Sequence, residues 1–398
     1  MTTRYSINKT LPTTDLICFS HLRWNFVFQR PQHLLTRCAK DRRVFFVEEP
    51  EFGATTPRLK ISRDSSGVYV VVPQLPEHMA ADLVVRAQQS LVDHLIASQG
   101  ISSYILWYYT PMAMPFSRHL KPLGCVYDCM DELSGFAGAP AGLKALEHAL
   151  LASADVVFTG GQTLYESKRS LHPNVHAFPS SVDVGHFARA RTAPREPDDQ
   201  APLPGPRLGF FGVIDERLDI GLVAQVAKLR PDWHFVLVGP VVKIDPGTLP
   251  QGGNLHYLGP KDYLELPDYI SGWDVALLPF ARNEATRFIS PTKTPEYLAA
   301  GRPVVSTSIR DVVHPYGDLG LAKIADTPAD FVAAIAAALA EPEEPRQRAA
   351  SVFLARMSWD ATWEGMWDLV EETIARRSTD DGPSLSSDPL PGIAAVSA

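Results

Sequence analysis

The apolar positions in the first half of the chain follow two alternating patterns. Short apolar runs, typical of buried strands, are separated by stretches with helical spacing, as in 81–98, where Ala87, Leu91 and Leu95 recur on one face. Strands that alternate with helices predict βαβ units and a parallel sheet. The predicted strands span 15–20, 43–48, 68–72, 104–108, 125–128 and 155–159, and the predicted helices begin at 30 or span 81–98 and 141–152.

The same alternation begins again after a polar, proline-rich segment. Residues 189–206 (RARTAPREPDDQAPLPGP) show little periodicity and predict a linker between two domains. We therefore expect an amino-terminal domain over 1–188, a carboxy-terminal domain over 207–377, and a disordered tail over 378–398 that is rich in Ser, Pro and Asp. The strands predicted in the second half span 208–213, 234–238, 255–258, 275–279 and 303–307, and the helices span 221–229, 266–271, 295–300, 329–340 and 359–374.

This organisation predicts an α/β fold of two Rossmann-like, doubly wound domains that face a central cleft. A chain of 398 residues is too long for one hydrophobic core, which agrees with two domains. Ligands of such domains bind at the carboxyl ends of the strands, so the cleft is the expected site. Trp359, Trp363 and Trp367 lie at helical spacing, and we expect them to form the packing face of a terminal helix that crosses between the domains.

Net charge and hydropathy limit the partners and the location. The formal charge is -8, and because binding to nucleic acid requires a basic footprint, nucleic acid is not expected as a partner. Residues 1–195 nevertheless hold 20 Lys and Arg against 16 Asp and Glu, which is consistent with scattered surface charge or with a face that docks an anionic acceptor or membrane. No apolar stretch reaches the length of about 18 residues that spans a bilayer. We expect a cytoplasmic protein, with peripheral contact at the inner face of the membrane as an option.

Residues 283–307 (NEATRFISPTKTPEYLAAGRPVVST) form the most informative segment. Pro295 suits the first turn of a helix that begins at the cleft, and the free N–H groups of such a helix end favour a phosphate. Lys293 adds a positive charge there, and the carboxylate of Glu296 can accept both hydroxyls of a ribose. The alternative is that Glu296 is only a favourable first-turn acid and Lys293 a solvated loop residue.

These motifs together resemble the GT-B glycosyltransferases, and in particular a family-4-type bacterial branch of teichuronic-acid or exopolysaccharide biosynthesis. In the second half the resemblance rests on SPTKTPEYLAAGRPVVST, GFFGVIDERLD, FVLVGP, LHYLGPKDYLELPDYISGWDVALLPF and SWDATWEGMWDLV. In the first half it rests on FSHLRWNFVFQRPQHLL, LWYYTPM, VYDCMDELSGF and VDVGHF. The resemblance covers nearly the whole chain except the tail.

The resemblance implies that the second domain holds the nucleotide half of a sugar donor. Glu296 matches the residue that binds the ribose, whereas Lys293, Ser290 and Thr292 match the positions around the diphosphate. Arg217 resembles the second basic residue that neutralises the diphosphate, and its alternative is a surface ion pair with Glu216 or Asp219. Lys261 ends a loop similar to the edge on which the nucleobase rests.

Two features of the sequence bear on the chemistry of transfer. No Asp-x-Asp pair of the metal-dependent kind is present, so we expect no metal, and no cofactor beyond the sugar nucleotide as co-substrate. Typical retaining members have a second Glu eight residues before the ribose-binding one, whereas this chain has Phe288 there and Glu284 four residues further upstream. The retaining or inverting outcome therefore stays open.

Candidate groups on the acceptor side lie in the first domain. Asp128 and Asp131 follow an apolar strand in YDCMDE, and either can accept a proton from an acceptor hydroxyl; we favour Asp131, and the alternative is a turn-capping pair. Four residues after the first strand are expected to contact the acceptor, since a ring can stack on a sugar and an arginine can hold an acidic group, although packing is the alternative for each. These four are His21, Arg23, Trp24 and Arg30.

The predicted function is transfer of a sugar from a nucleoside-diphosphate sugar to a polysaccharide, glycolipid or small-molecule acceptor. A sugar-nucleotide 2-epimerase shares the architecture and is one alternative, because it would epimerise the nucleotide sugar with no acceptor present. A non-catalytic subunit that binds sugar nucleotides for a partner synthase is the other, and the absence of Glu at position 288 leaves it open.

Overall fold

The computed structural model of the chain describes residues 14–379, and its strands form two sheets. Most strands are runs of buried apolar residues, because helices cover both faces of a parallel sheet. The first sheet contains β1 (Asp15–Phe19), β2 (Val44–Val47), β3 (Glu51–Phe52), β4 (Arg58–Arg63), β5 (Tyr69–Leu75), β6 (Tyr104–Tyr108), β7 (Gly124–Cys129), β8 (Val156–Thr159) and β9 (Val175–Ala177). The second contains β10 (Arg207–Phe211), β11 (His234–Val238), β12 (Leu255–Gly259), β13 (Val275–Leu278), β14 (Val304–Ser306) and β15 (Ala322–Ile324).

The two sheets have the strand orders of doubly wound domains. The first runs β3-β5-β2-β1-β6-β7-β8-β9, and the second runs β12-β11-β10-β13-β14-β15. Every ladder is parallel except that of β4, which pairs antiparallel with β5 at the edge of the first sheet. The predicted fold class is therefore confirmed, and the carboxyl ends of the strands carry the loops that form the cleft.

Helices connect the strands of both sheets. Pro31 follows Arg30 at the start of the first helix, where its missing N–H costs no hydrogen bond. The helices of the first half are α1 (Arg30–Cys38), α2 (Ala81–Ser98), α3 (Met114–Ser117), α4 (Leu143–Ser153), α5 (Gln162–Lys168) and α6 (Val184–Thr192). Those of the second half are α7 (Ile220–Leu229), α8 (Leu266–Ser271), α9 (Lys293–Ala299), α10 (Arg310–Val312), α11 (Pro328–Leu339), α12 (Glu343–Leu354) and α13 (Trp359–Thr379), with 3-10 turns at Pro111–Ala113, Leu133–Gly135, Pro246–Thr248 and Tyr263–Glu265 and a π turn at Val313–Gly317.

The edge strand β4 was not among the strands predicted from the sequence. All its residues except Leu59 are exposed, so no buried apolar run marks it as a strand. Register places Ile61 opposite Val71 and Lys60 opposite Val72. Charged residues such as Lys60 on an edge strand disfavour pairing with another chain.

The proline-rich segment 189–206 does not lie between the domains as predicted. Phe187 and Ala190 of α6 are already part of the hydrophobic core of the second domain. Further along, Gln200 is fully buried, donates to the carbonyl oxygen of Tyr269 at 2.8 Å and accepts from Nε1 of Trp273 at 2.9 Å. Polar residues with little periodicity looked like a linker, but they are used as hydrogen-bonding groups that fasten the segment to the second domain.

The last helix returns to the first domain. Trp363 packs 6.0 Å from Trp107 of β6, measured between ring centroids, and Trp367 stacks on Trp363 at 5.3 Å. Trp359 belongs to the same core cluster, so the tryptophan face is a packing face as expected, and the chain crosses back from the second domain between Leu354 and Trp359, ahead of this helix. α13 continues to Thr379, and most of the predicted tail, 380–398, lies outside the described residues, as do residues 1–13. Within residues 14–379, no helix is both long and apolar enough to cross a membrane.

Candidate active site

The site begins at α9, where the sequence SPTKTPE folds into the first turn of a short helix. Thr292 precedes the helix, and Lys293 and Glu296 both fall in its first turn. The Glu296 side chain is buried, and its Oε2 atom has no hydrogen-bond partner in the described part of the chain. Burial raises the pKa of Glu296, and the positive charge of Lys293 and the hydroxyl of Thr292 oppose this rise. A buried carboxyl oxygen without a partner is unusual in a folded protein and suits a group that awaits a ligand.

Lys293 reaches from α9 to the end of β10. Its Nζ lies 5.8 Å from the ring centroid of Phe211, and a Cβ atom at Gly212 would collide with its side chain. Gly212 adopts a φ of 138° and Gly239 a φ of 147°, and a Cβ at Gly239 would collide with the carbonyl oxygen of Gly212. The two glycines therefore create the space in which the lysine lies. Burial lowers the pKa of Lys293, which an incoming anion would reverse.

Arg217 is held by a neighbour that the sequence did not suggest. Its guanidinium forms a bidentate pair with the buried carboxylate of Asp215, with N···O distances of 2.7 to 3.1 Å, and neither Glu216 nor Asp219 is its ion-pair partner. The guanidinium carbon also lies 5.6 Å from the ring centroid of Phe136, which belongs to the first domain. The planar fork of Arg217 is thus fixed in direction while its side chain stays partly exposed.

Asp131 faces these cations from the first domain. It follows β7 by two residues, is half-buried, and makes no salt bridge among residues 14–379. Burial raises the pKa of Asp131 to about 6, Arg217 and Lys293 act to lower it, and Asp215 adds to the rise. The structure therefore brings the favoured catalytic candidate and two donor-binding candidates together across one cleft.

Asp128 and Arg30 are not brought into the cleft. They form a buried ion pair in which the two side chains are 0% and 1% exposed, with an N···O distance of 2.9 Å. Arg30 also donates to the carbonyl oxygen of Phe178 at 2.7 Å. Asp128 lies inside β7 and points into the core, whereas Asp131 lies beyond the end of the strand. The predictions of Asp128 as a base and of Arg30 as an acceptor contact are therefore not supported by the geometry.

Arg23 and Trp24 also serve the structure. Arg23 donates to Glu48 at 2.9 Å and to the carbonyl oxygen of Glu49 at 2.6 Å, which holds two loops together. Trp24 is buried and packs edge-on against Phe46, with 5.0 Å between ring centroids. Trp24 has no aromatic surface left for an acceptor, so packing is the better interpretation of it, whereas Arg23 is held by the loop but keeps a side chain that is 39% exposed.

His21 differs from the other three acceptor candidates. Burial lowers its pKa to about 4, and the charge of Lys243 lowers it further, while a backbone contact with Tyr109 acts in the opposite direction. Its Nδ1 atom has no hydrogen-bond partner among the described residues. A neutral imidazole with a free nitrogen near Lys243 can hydrogen-bond an acceptor hydroxyl.

The remaining donor candidates have mixed outcomes. Thr292 contacts Glu296, as the predicted neighbourhood requires. Ser290 packs against Gly161 of the first domain, where an added Cβ would lie 2.6 Å from the Cβ of Ser290, so it belongs to the contact between the domains. Lys261 pairs with Asp199 at 2.6 Å and helps to fasten the proline-rich segment, so its charge is already neutralised.

Sequence reasoning missed two residues of the cleft, Lys243 and Tyr263. Lys243 adopts a left-handed φ of 61°, and its Nζ lies 5.2 Å from the ring centroid of Phe136. Tyr263 stacks on His186 at 4.3 Å, and its buried hydroxyl has no partner among the described residues. A lysine soon after the end of a central strand was a usable signal for Lys243, whereas only the fold brings Tyr263 near Glu296.

Residues 14–379 contain no group of three or more His, Cys, Asp or Glu placed to hold a metal ion.

Comparison with known proteins agrees with this architecture. Residues 205–341 match the family model described as glycosyl transferases group 1. The chain is 28% identical over 271 residues to the "Putative teichuronic acid biosynthesis glycosyltransferase TuaH" of Bacillus subtilis, an alignment that covers 61% of this chain and 66% of that protein. The chain thus spans just under two thirds of this relative's length.

Solved structures resemble the chain over nearly its whole length. Sucrose-phosphate synthase from Thermosynechococcus elongatus superposes with a TM-score of 0.71 at 15% identity, covering 91% of this chain and 100% of that one. The E. coli structure described as trehalose-6-phosphate bound with UDP-2-fluoro glucose gives 0.65 at 14% identity, covering 90% and 99%. The two-domain architecture is that of the GT-B fold, and residues 205–341, which match the group 1 glycosyl transferase model, lie within it. The resemblance stated from the sequence is confirmed.

Proposed function

We propose that the chain is a glycosyltransferase that moves a hexose or uronic acid from a nucleoside-diphosphate sugar to a hydroxyl of a polysaccharide, glycolipid or small-molecule acceptor. One observation carries this proposal: the guanidinium of Arg217 in the second domain lies 5.6 Å from the ring centroid of Phe136, which follows Asp131 by five residues in the first domain, so a cation of the donor side and the candidate base lie at one cleft. The group 1 glycosyl transferase domain and the relative TuaH support it.

On this proposal, the second domain binds the donor. The unpartnered Oε2 of Glu296 accepts ribose hydroxyls, while Lys293 and Arg217 lie against the diphosphate. Breaking the bond between the anomeric carbon and the diphosphate oxygen leaves extra negative charge on the nucleoside diphosphate. Positive groups that are already fixed stabilise that charge without reorganisation, and the pairing of Arg217 with Asp215 fixes one of them. This assignment needs no metal ion.

Asp131 is the proposed group on the acceptor side. With a pKa of about 6 it is largely ionised at neutral pH and can accept the hydroxyl proton. Phe288 packs against the core of the first domain, and Glu284 is exposed near Arg287, so neither supplies a carboxylate in the place of the family's second Glu. An inverting reaction uses Asp131 as the base, whereas a retaining reaction uses it to contact the donor. The anomeric configuration of the product distinguishes the two.

The first domain is also proposed to contact an anionic surface, in line with the excess of Lys and Arg in the first half of the chain. The exposed strand β4 carries Arg58, Lys60 and Arg63 together with Ile61, a combination suited to anionic headgroups. We propose that this strand makes peripheral contact at the inner face of the membrane. Pelleting with vesicles that contain anionic lipid should carry the protein down, and equal pelleting with neutral vesicles would contradict the idea.

A donor panel tests the proposed reaction. The protein is incubated with UDP-, GDP- and dTDP-sugars, with and without membrane extract, and release of nucleoside diphosphate is measured. Release that depends on the extract supports transfer to an acceptor. An epimerised nucleotide sugar in the absence of extract would indicate a 2-epimerase, and binding without turnover would indicate a non-catalytic subunit.

A further inference from the structure

The short helix α5 of the first domain is bonded at its start to the second domain. Asp311 of α10 accepts hydrogen bonds from the backbone N–H of Gln162 at 2.9 Å and of Thr163 at 3.1 Å. The Thr163 hydroxyl also donates to this carboxylate, which is buried. On the exposed side, Arg310 pairs with Glu166 at 2.6 Å. The first turn of α5 is thus fixed by side chains of the other domain.

The other end of α5 is bonded to the loop that carries Asp131. Lys168, the last residue of the helix, is buried, and its Nζ lies 2.7 Å from Oε2 of Glu132 and 2.7 Å from Oε1 of Glu147. Tyr127 of β7 donates to the same Glu147 oxygen at 2.9 Å. Glu132 is the residue next to Asp131, so the position of this glutamate limits where the aspartate can lie.

A buried ammonium between two carboxylates is a sensitive arrangement. Removal of the Lys168 charge would leave Glu132 and Glu147 without their cation, and an uncompensated buried charge is strongly unfavourable. The glutamate nearer to solvent, Glu132, would move outward and take the adjoining loop with it. Loss of Asp311 would act at the opposite end, by leaving the N–H groups of the first turn unpaired.

We propose that Lys168 is a positioning residue for Asp131, and that α5 couples contact between the domains to the placement of that carboxylate. The coupling runs through direct bonds: Asp311 holds the start of α5, and Lys168 at its end holds Glu132. The inference rests on the proposed function only in giving Asp131 a role in transfer. It implies that the acceptor-side carboxylate is fully placed only while the second domain lies against α5.

Hydrogen exchange tests the coupling without any assay of activity. In Asp311→Ala, we expect amide exchange about tenfold faster both at the start of α5 and in the loop 131–136. In Lys168→Met, faster exchange is expected in the loop, whereas the first turn of α5 stays protected. Faster exchange at 162–163 alone in Asp311→Ala would overturn the coupling.

Kinetics tests the positioning role. Lys168→Met should lower kcat for transfer by about 10 to 100 fold, since small displacements of a reacting group have effects of this size. The Kd for nucleoside diphosphate should stay unchanged, and Lys168→Arg should recover most of the rate. An unchanged kcat in Lys168→Met, with only a lower Tm, would reduce Lys168 to a structural residue.

A matched control and a milder variant complete the design. Arg43→Met removes an ion pair with Asp15 at the amino-terminal ends of the central strands β1 and β2, away from the cleft, so it should change stability without changing loop exchange or kcat. If Lys168→Met fails to fold, Glu132→Gln takes its place, because it keeps the size of the side chain and weakens the ion pair between Lys168 and Glu132. This variant must then show faster amide exchange in the loop 131–136. Failure of the wild-type protein to transfer sugar would refute the proposed function, and the exchange results would still decide the coupling.

Discussion

Arg30 and Asp128 form an ion pair that is closed to solvent, although they are 98 residues apart in the chain. Removing one partner would leave the other charged and buried, so Arg30→Met or Asp128→Asn should lower the free energy of unfolding by about 3 to 5 kcal/mol. Denaturant unfolding measures this. The exposed pair of Arg348 and Glu344 provides the control, because Arg348→Met should change stability by less than about 1 kcal/mol.

The same pair separates structural from catalytic roles. At a temperature where Asp128→Asn is still folded, it should retain donor binding and most of its transfer activity. A complete loss of turnover in a folded Asp128→Asn protein would restore Asp128 as a catalytic candidate.

Glu296→Gln should weaken nucleoside-diphosphate binding by about 2 to 10 fold at neutral pH, because burial raises the pKa of Glu296 to about 8 and a hydrogen bond to a neutral carboxyl contributes about 0.5 to 1.5 kcal/mol. The variant should fold at least as well as the wild type, because it replaces a buried carboxyl whose Oε2 has no partner among the described residues. Calorimetric titration with the diphosphate measures the first effect and thermal unfolding the second. Glu284→Gln, at an exposed position, serves as the control, and equal affinity in both variants would remove Glu296 from the donor site.

Lys293→Met should reduce the affinity for a nucleoside diphosphate by about tenfold or more, because it removes a charge-assisted contact. Affinity for the corresponding nucleoside should hardly change, since the lysine is assigned to the phosphates. Parallel titrations with the two ligands therefore form an internal control. A loss of the same size for both would indicate a general disturbance of α9 rather than a phosphate contact.

The pH dependence of transfer should report Asp131. Because its pKa is raised to about 6, the ionised form is lost as the pH falls through that value, and kcat/KM should decrease below about pH 6. Asp131→Asn should abolish transfer while donor binding is retained. A rate that is independent of pH between 5 and 7, with chemistry rate-limiting, would contradict the role.

The same shift has a consequence for stability, with a definite sign. A carboxyl whose pKa is higher in the folded state than in the unfolded state stabilises the fold at low pH, and this contribution is lost as the pH rises through about 6. Asp131→Asn should therefore be more stable than the wild type at pH 7.5, and the difference should shrink towards pH 4. Thermal unfolding at the two pH values measures it, and a destabilised variant at pH 7.5 would show that the ionised carboxylate supports the fold.

Local patterns in the sequence were enough to predict most of the fold and part of the candidate site. Glu296 and Lys293 lie in one helical turn, so their proximity follows from spacing alone, and the buried strands were evident as apolar runs. The choice between Asp128 and Asp131 depended on where β7 ends, and a difference of a few residues decides between core and cleft.

The remaining site residues could not be predicted, because their roles depend on ion pairs and contacts with residues far away in the chain. The partners of Arg30, Lys261 and Arg23 come from distant loops or strands, so a cation that looked free in the sequence was already neutralised in the fold. Lys243 was missed because its importance comes from Phe136, which lies on the other domain. Residues that face each other across a cleft leave no spacing signal in the chain.

The return of α13 has a consequence for synthesis of the protein. Trp359, Trp363 and Trp367 complete an apolar face made mostly by residues before Phe178, so this core lacks one wall until almost the whole described chain has left the ribosome. The second domain, whose core is contiguous from Val182 to Leu354, can close first. Because the chain is made from its amino terminus, the first domain cannot complete its core until the last helix has been synthesised. A nascent chain stopped before Trp359 should therefore bind ribosome-associated chaperones through the exposed apolar face.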